Sequence, residues 1–184
     1  AAEEKTVRAL LSKAPPERIE CFHIATNEPW CRDHGAIFLT RKTAPQLAAL
    51  NFGFNAWGYK LSPFEDDNEV PLKMGETLGI PVFDRTDFIL EGGSIDVNGA
   101  GVVLTTESCL LNPNRNPKLN RREIEAKLRE SLGVQTVLWL GDGIEGDDTD
   151  GHVDDITRFV SETTVLTVVE EDENDPNFEP LRAN

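Results

Sequence analysis

The alternation of apolar and polar residues is clearest in the middle of the chain. It predicts a short strand over 88–91, followed by two strands, 94–97 and 102–106, which flank a turn at 98–101. Asn-Gly dipeptides such as the one in this turn favour tight hairpins. The pattern therefore indicates an antiparallel pair of strands.

A helix and a further strand follow this hairpin. Asn120 is a good helix N-cap, the apolar spacing continues to Leu132, and Gly133 is a typical residue to end a helix. Residues 134–140 are then predicted to form a buried strand. The resulting unit of two strands, a helix and a strand places the chain in the α/β class.

Other segments carry weaker patterns of the same kind. They predict an amphipathic helix over 4–13, a strand over 20–24, an apolar run over 36–40 and a helix within 65–79, where Pro71 makes the first part irregular or marks its start. Two later strands, 156–160 and 165–169, resemble the start of another unit. No repeat is visible residue by residue, so any repetition is architectural.

Composition narrows the range of partners. The 184 residues include 18 Lys plus Arg and 33 Asp plus Glu, a net charge of −15, which suits one acidic globular domain. Nucleic acids and anionic membrane surfaces are polyanions and are poor partners for such a chain. Small cations or basic partners fit the charge, although acidity alone often reflects solubility.

Location and redox state follow from two further features. No apolar run approaches the length that spans a bilayer, and the first residues do not form a signal segment, so a cytoplasmic protein is expected. Cys21, Cys31 and Cys109 are an odd number at spacings that match no zinc site or disulfide framework, which fits a reducing compartment.

The segment 141–146 reads GDGIEG and matches the dinucleotide-binding pattern G-x-G-x-x-G. Acidic residues inside and directly after it would repel a pyrophosphate, so this interpretation is rejected. An EF-hand alignment fails as well, because Thr157 would stand where the bidentate Glu belongs. A solvated acidic loop is the expected structure.

Two other places combine residues suited to catalysis. His152 and Asp154 are spaced i, i+2 at the entrance to a predicted strand, so both side chains should point to the same side. An imidazole beside a carboxylate suits acid–base chemistry, yet an incidental loop histidine explains the spacing equally well. Glu91 ends an apolar strand before Gly92 and Gly93, which would let the backbone turn or approach another group closely.

Residues 30–35 read WCRDHG at an expected strand edge. Asp33 could meet a cationic ligand and Trp30 could wall its aliphatic part; alternatively, Arg32 and Asp33 form a solvated pair and Trp30 belongs to the core. Cys31 is expected to be a structural thiol, because Asp33 opposes the formation of a thiolate. Cys109 follows an apolar strand and is expected to be buried and inert.

Taken together, five segments resemble one family, the agmatine deiminases and bacterial peptidylarginine-deiminase-like proteins of the guanidine-modifying (pentein) superfamily. They are WCRDHG at 30–35, FNAWG at 54–58, LEGGSI at 90–95, LNPNRNP at 111–117 and DTDGHVD at 148–154. The resemblance implies a pentein-type α/β propeller with five blades of repeated strand-strand-helix-strand units around a central site.

The resemblance also implies roles. Asp33 and Asp154 would bind the substrate guanidinium, His152 would be general acid and base, Glu91 would orient it, and Trp30 would line the site. A cysteine would attack the guanidinium carbon, releasing ammonia and then a ureido product; no metal or cofactor is implied. For agmatine the product is N-carbamoylputrescine, on a route to putrescine.

One departure from the family pattern is serious. The family nucleophile lies in a Gly-Gly-x-x-His-Cys-like segment near the C-terminus, and no cysteine follows Phe159 here. Residues 1–184 are therefore expected to be a partial catalytic domain of about three blades, inactive alone, that associates with the missing half or forms a homo-oligomer. Peptidylarginine deimination, or binding without catalysis on a decayed scaffold, are the alternatives.

Overall fold

A computed structural model describes residues 2–184 and shows a mixed α/β chain with three small sheets. Helix α1 (Ala2–Leu10) begins the chain and is followed by a 3-10 turn at Pro16–Arg18. Among the described residues, no helix combines the length and the apolarity that crossing a bilayer requires.

The first sheet has the strand order β1-β2-β3. β1 (Ile37–Thr40) is antiparallel to β2 (Leu47–Gly53), which is parallel to β3 (Val82–Ile89). Parallel neighbours need a long crossover, and here it contains three helices: α3 (Ala56–Tyr59), α4 (Glu65–Asn68) and α5 (Val70–Leu78). Before the sheet lies the short helix α2 (Cys31–His34).

The second sheet repeats this arrangement. β4 (Ile95–Val97) is antiparallel to β5 (Val102–Thr106), which is parallel to β6 (Thr136–Leu140). The crossover contains α6 (Glu107–Leu110) and α7 (Arg121–Leu132). α7 starts with a capping box between Asn120 and Glu123 and ends at left-handed Gly133, so the predicted helix, hairpin and strand-strand-helix-strand unit are confirmed.

A third, two-stranded sheet pairs β7 (Thr157–Ser161) with β8 (Thr164–Thr167), and helix α8 (Phe178–Ala183) follows. Each sheet is preceded by one tight helical turn: α2 before β1, Gly92–Ser94 before β4, and Val153–Asp155 before β7. These three turns contact one another in sequence order. The architectural repeat therefore brings equivalent points of successive units together.

One core joins the first two units. Leu50 and Phe88 of the first sheet belong to the same buried cluster as Leu110, Ile124 and Leu128 of the second crossover. Burying a large apolar side chain stabilises a fold by about 1.5–3 kcal/mol relative to leaving it exposed. The two units therefore depend on each other, and the turns between them have a rigid base.

Three local predictions are wrong. Residues 20–24 are extended but pair with no other strand in the described part of the chain, and Phe22 is exposed, so they lack the partner that a strand needs. The segment 30–35 is the helix α2 and its end rather than a strand edge. The strand predicted as buried over 134–140 is β6, an edge strand with no fully buried residue.

The irregular start predicted for the helix within 65–79 is confirmed, because α4 and α5 are separated at Glu69 and Pro71 lies in the first turn of α5. Helix α8 was not predicted.

Candidate active site

Asp33 is held inside the molecule by two hydrogen bonds. Its Oδ2 accepts from the indole N–H of Trp57 at 3.0 Å, and its Oδ1 accepts from the backbone N–H of Gly93 at 3.0 Å. The residue is only 8% exposed. Asp33 is therefore a fixed, buried acceptor and not the solvated partner of Arg32 that the sequence left open.

Trp57 reaches Asp33 from an unusual turn. All four residues of α3, from Ala56 to Tyr59, have positive φ, although only Gly58 tolerates this conformation without cost. The other three cost about 1–2 kcal/mol each. The side chain of Asn55 stabilises the turn by accepting from the Gly58 N–H and donating to the carbonyl of Asn114.

His152 and Asp154 lie at the turn before β7. His152 is 2% exposed, and its Nδ1 lies 3.6 Å from Asp33 Oδ1 and 4.0 Å from Asp154 Oδ1. The two residues lie on the same side, as the sequence predicts. They lie at a 3-10 turn, however, and not on an extended strand. The imidazole thus lies beside both carboxylates.

Gly93 explains how these groups can come so close. A methyl group at this position would lie 2.5 Å from His152 Nδ1, 2.7 Å from Asp33 Oδ1 and 3.0 Å from Asp154 Oδ1. A methyl group at the neighbouring Gly92 would lie 2.0 Å from the carbonyl oxygen of Arg32. The predicted close backbone approach at the two glycines is therefore observed, and a side chain at Gly93 would fill the space between the three groups.

An acidic cleft of about 960 Å³ opens above these groups. Asp33, His152 and Asp154 line it, and Trp30, which is 60% exposed, forms part of its wall. Trp30 is consequently not a core residue. Four further acids line the same cleft: Glu145, Asp147, Asp148 and Asp155. The cleft therefore suits a cation that has an aliphatic part.

Glu91 does not line the cleft but lies fully buried behind it. Its Oε1 accepts from Arg115 Nε at 2.7 Å. Among residues 2–184, neither Glu91 Oε2 nor His152 Nε2 has a hydrogen-bond partner. An oxygen of Glu91 and a ring nitrogen of His152 lie within 4.8 Å of each other, so the two side chains are buried neighbours.

Arg115 lies in the LNPNRNP segment, and the family resemblance implies no role for it. Its other two nitrogens donate to Asn114 Oδ1, Asp150 Oδ2 and the carbonyl of Thr149, at 2.6–2.9 Å. Trp57 lies in the FNAWG segment, and the resemblance implies no role for it either. A buried arginine is rare unless it is paired, yet burial is not visible in a single sequence, so only the segment match could have drawn attention to either residue.

The acidic loop is solvated only in part: Asp142, Glu145 and Asp148 are exposed, as expected, but Asp147 and Asp150 are bonded within the molecule. Asp147 accepts from the backbone N–H groups of Thr149 and Gly151, and Asp150 accepts from Arg115, Asn114 and Lys60. Lys60 Nζ also donates to the carbonyl of Asp148. These bonds fold the loop against the site, so part of its acidity is structural.

The environment shifts the ionisation of the central groups. Burial, together with the nearby Asp155 and Asp33 carboxylates, raises the pKa of Asp154 to about 6. Burial lowers the pKa of His152, although Asp33 opposes this shift, so the imidazole is neutral at pH 7. Burial raises the pKa of Glu91, and Arg115 opposes the rise. The site thus contains a neutral base between carboxylates that favour an incoming cation.

Within the described residues, one cluster of side chains could supply ligands to a metal ion. It is formed by Glu91, Cys109 and His152. Two features oppose binding there. The Arg115 guanidinium already neutralises Glu91, and burial raises the pKa of the Cys109 thiol well above its ordinary value, so the thiolate that a metal prefers is disfavoured. The cluster is better described as a buried polar contact behind the imidazole.

Comparison with known proteins identifies the fold family. A family model for the Porphyromonas-type peptidyl-arginine deiminase matches residues 1–184. The agmatine deiminase of Ectopseudomonas mendocina (strain ymp) is 40% identical over 187 residues, which cover 100% of this chain and 50% of the relative. The solved agmatine deiminase of Enterococcus faecalis has a TM-score of 0.86 at 38% identity, with 96% of this chain and 49% of that chain covered.

A C. jejuni agmatine deiminase, solved as a Cys-to-Ser variant with substrate bound, has a TM-score of 0.83 at 44% identity. The match covers 91% of this chain and 50% of the C. jejuni chain. The chain thus spans about half the length of the relatives it matches. By sequence over its whole length and by its pentein-type α/β fold, the chain belongs to the family of Porphyromonas-type peptidyl-arginine deiminases and agmatine deiminases.

Proposed function

We propose that the protein containing this chain is a cytoplasmic agmatine deiminase, which hydrolyses the guanidinium of agmatine to N-carbamoylputrescine and ammonia on a route to putrescine. The observation that carries the proposal is the placement of Asp33 and Asp154 beside His152 Nδ1 at the cleft, at 3.6 Å and 4.0 Å. A planar guanidinium presents several N–H donors, and two carboxylates can bind them by charge-assisted hydrogen bonds.

Chemistry follows from that binding mode. The carboxylates stabilise the protonated guanidinium, whose carbon is more electrophilic than that of the neutral guanidine. A cysteine thiol then attacks the carbon while neutral His152 takes the thiol proton; His152 returns this proton to the departing nitrogen, and ammonia leaves. His152 next takes a proton from water, the hydroxide attacks the thiouronium carbon, and the cysteine sulfur leaves with that proton. The hydroxyl of the product then loses its proton to water, which gives the neutral ureido group.

The nucleophile is proposed to come from outside residues 1–184. Cys109 is fully buried and its thiol pKa is raised, so it is a poor nucleophile. Cys31 is exposed and Cys21 is partly buried, but neither lines the acidic cleft. The segment that supplies the cysteine would therefore close the cleft from the remaining part of a longer protein.

Turnover of agmatine by the intact protein tests the proposal. We expect ureido product from agmatine, and a loss of at least about 10³-fold in kcat/KM for His152→Ala, because one group performs every proton transfer. Trp139→Phe, which changes an indole bonded to Glu125, is a matched control. Undiminished turnover in the His152 variant would refute the assigned role.

Substrate choice is tested with the same protein. Agmatine, free arginine and a peptide with a C-terminal arginine carry the same guanidinium and differ at the far end. We expect agmatine to have the highest kcat/KM, because its second positive charge suits a cleft lined by Glu145, Asp147 and Asp148. A preference for the arginyl peptide would favour peptidyl-arginine deimination, the activity named for the matching family model.

A further inference from the structure

We propose that Arg115 is a positioning residue of the deiminase reaction, which keeps Glu91 anionic and aligned behind His152 and ties both to the acidic loop of the cleft. The proposal rests on the proposed function, because it concerns how the imidazole of that same site is held. Arg115 does not line the cleft, so its action on substrate is indirect.

The contacts of Arg115 are those of a fixed bridge. Its guanidinium has five N–H donors, and four of its hydrogen bonds go to separate acceptors. The Nε bond goes to Glu91, whose side chain, like that of Arg115, is completely buried. The remaining three bonds go to Asn114, Thr149 and Asp150, and the last two belong to the loop that leads to His152. One planar group thus sets the position of Glu91 relative to that loop.

Glu91 needs this partner to stay ionised. Four titratable or charged groups face it: Arg115, Asp33, Cys109 and His152. Of these, only Arg115 is permanently cationic, while Asp33 and burial favour the neutral carboxyl. A carboxyl buried without a cation can have its pKa raised by about 3–5 units, which would leave Glu91 protonated at pH 7.

Ionisation of Glu91 matters because of the atoms that remain free. Arg115 occupies Oε1, while Glu91 Oε2 and His152 Nε2 are both buried and unpaired, and the two side chains are neighbours. An anionic Oε2 can accept from Nε2–H, which leaves Nδ1, on the cleft side, as the basic nitrogen. A protonated Glu91 could instead donate to Nε2, which would place the imidazole proton on Nδ1 and remove the base from the cleft.

The hydrogen bonds of Arg115 connect, through Asp150, to the wall of the cleft. Asp150 accepts from Arg115 through Oδ2 and from Lys60 through Oδ1, both at 2.6 Å. Asp150 has a positive φ of 67°, a conformation that costs free energy in a residue other than glycine. Lys60 and Arg115 bind different oxygens of the same carboxylate. The loop is therefore fixed from two sides at Asp150, two residues before His152.

The experiment uses the intact protein and the variants Arg115→Met and Arg115→Lys, with Arg121→Met as the matched control for loss of a paired, exposed arginine. We expect Arg115→Met to lose at least about tenfold in kcat at pH 7, with the acidic limb of the kcat profile displaced to higher pH. The displacement follows because removing the cation raises the pKa of Glu91, and activity needs its ionised form. Arg115→Lys should restore part of the lost activity, and Arg121→Met should leave the profile in place.

A double-mutant cycle with Glu91→Gln separates positioning from a general structural role. If Arg115 acts through Glu91, adding Arg115→Met to Glu91→Gln should cost less than about threefold beyond the single variant. Additive losses, or an unmoved acidic limb in a folded Arg115→Met protein, would overturn the proposal. Should Arg115→Met fail to fold, the same two criteria apply to Arg115→Gln, which also removes the cation but keeps a polar side chain.

A readout without turnover distinguishes this proposal from the proposed function. Infrared spectroscopy of the intact protein at pH 7 should show, in Arg115→Met, a protonated-carboxyl band in addition to the minor contribution of Asp154, whose pKa is about 6. This additional band should be absent from the wild type and from the Glu91→Gln double variant. If the wild type does not deiminate agmatine but this band appears, the proposed function fails while the ionisation of Glu91 by Arg115 stands. If no such band appears, the role of Arg115 is refuted whatever the substrate.

Discussion

At the scale of single residues, the site places two carboxylates of like charge close together. Asp33 and Asp154 both lie within 4.0 Å of one imidazole nitrogen, and a neutral His152 does not compensate either of them. Their repulsion and burial store free energy that a cation can release, because a guanidinium between the two carboxylates replaces repulsion by attraction. The raised pKa of Asp154 is the measurable sign of this arrangement.

A pH dependence of substrate affinity follows from Asp154. Its pKa of about 6 means that the carboxyl is charged at pH 7 and takes up a proton as the pH falls through 6. Agmatine binding needs the anion, so the KM should rise by about tenfold per pH unit below pH 6. Steady-state kinetics from pH 4.5 to 8 check this, and Asp154→Asn should remove the dependence while Asp87→Asn, at an exposed ion pair, retains it. A KM that stays constant down to pH 4.5 would contradict the assignment.

Gly93 gives a second prediction at this scale. A methyl group there would meet all three central side chains at 3.0 Å or less, so Gly93→Ala must displace at least one of them. Misplacement by about 1 Å costs about 100-fold in rate, and we expect that loss in kcat/KM for agmatine. Gly141→Ala, where the nearest atom would lie at 3.5 Å, is the control that should retain activity. Full activity of Gly93→Ala would show that the three groups do not act from these positions.

At the scale of elements, local signals account for what the sequence predicts well. The Asn120 cap, Gly133 and the hairpin at 98–101 are decided by neighbouring residues, and all three are observed. Residues 20–24 have a strand-like composition but no strand beside them, and no local pattern reveals a missing partner. Asp33, Glu91, His152 and Asp154 are candidates from local spacing and chemistry, and the family resemblance implies their roles. The buried bond from Arg115 instead depends on tertiary contacts between segments 24 residues apart.

The left-handed turn of α3 is the element whose function is most open to test. Its strained residues place the Trp57 indole where it donates to Asp33 Oδ2 at 3.0 Å. A hydrogen bond to a charged group contributes about 1.5–3 kcal/mol, so Trp57→Phe should lower kcat/KM for agmatine by about ten- to 100-fold. Phenylalanine keeps most of the packing against Phe54, so the loss of folding stability should be limited to that of the one hydrogen bond, about 1.5–3 kcal/mol. An activity equal to that of Trp139→Phe would show that Asp33 needs no indole partner.

At the scale of the whole molecule, the site is a product of architectural repetition. Asp33, Glu91 and Asp154 each lie three or four residues before the first strand of their sheet, at or next to the tight turn that opens the unit. Successive units turn about a common point, so these positions converge although they are about 60 residues apart in sequence. A repeat that preserves no residue pattern thus still places one carboxylate per unit at the centre.

This geometry predicts how the chain behaves alone. Residues 1–184 contain both proposed guanidinium ligands and the proposed base, but the thiols of Cys31 and Cys109 lie outside the cleft lining. We therefore expect the isolated chain to form no ureido product from agmatine, at protein concentrations where the intact protein reaches complete conversion. Colorimetric detection of the ureido group checks this, with Cys31→Ser as the control for a misassigned nucleophile. Product formed by the isolated chain and lost in Cys31→Ser would place the nucleophile on α2 and overturn the proposal that it comes from the rest of the protein.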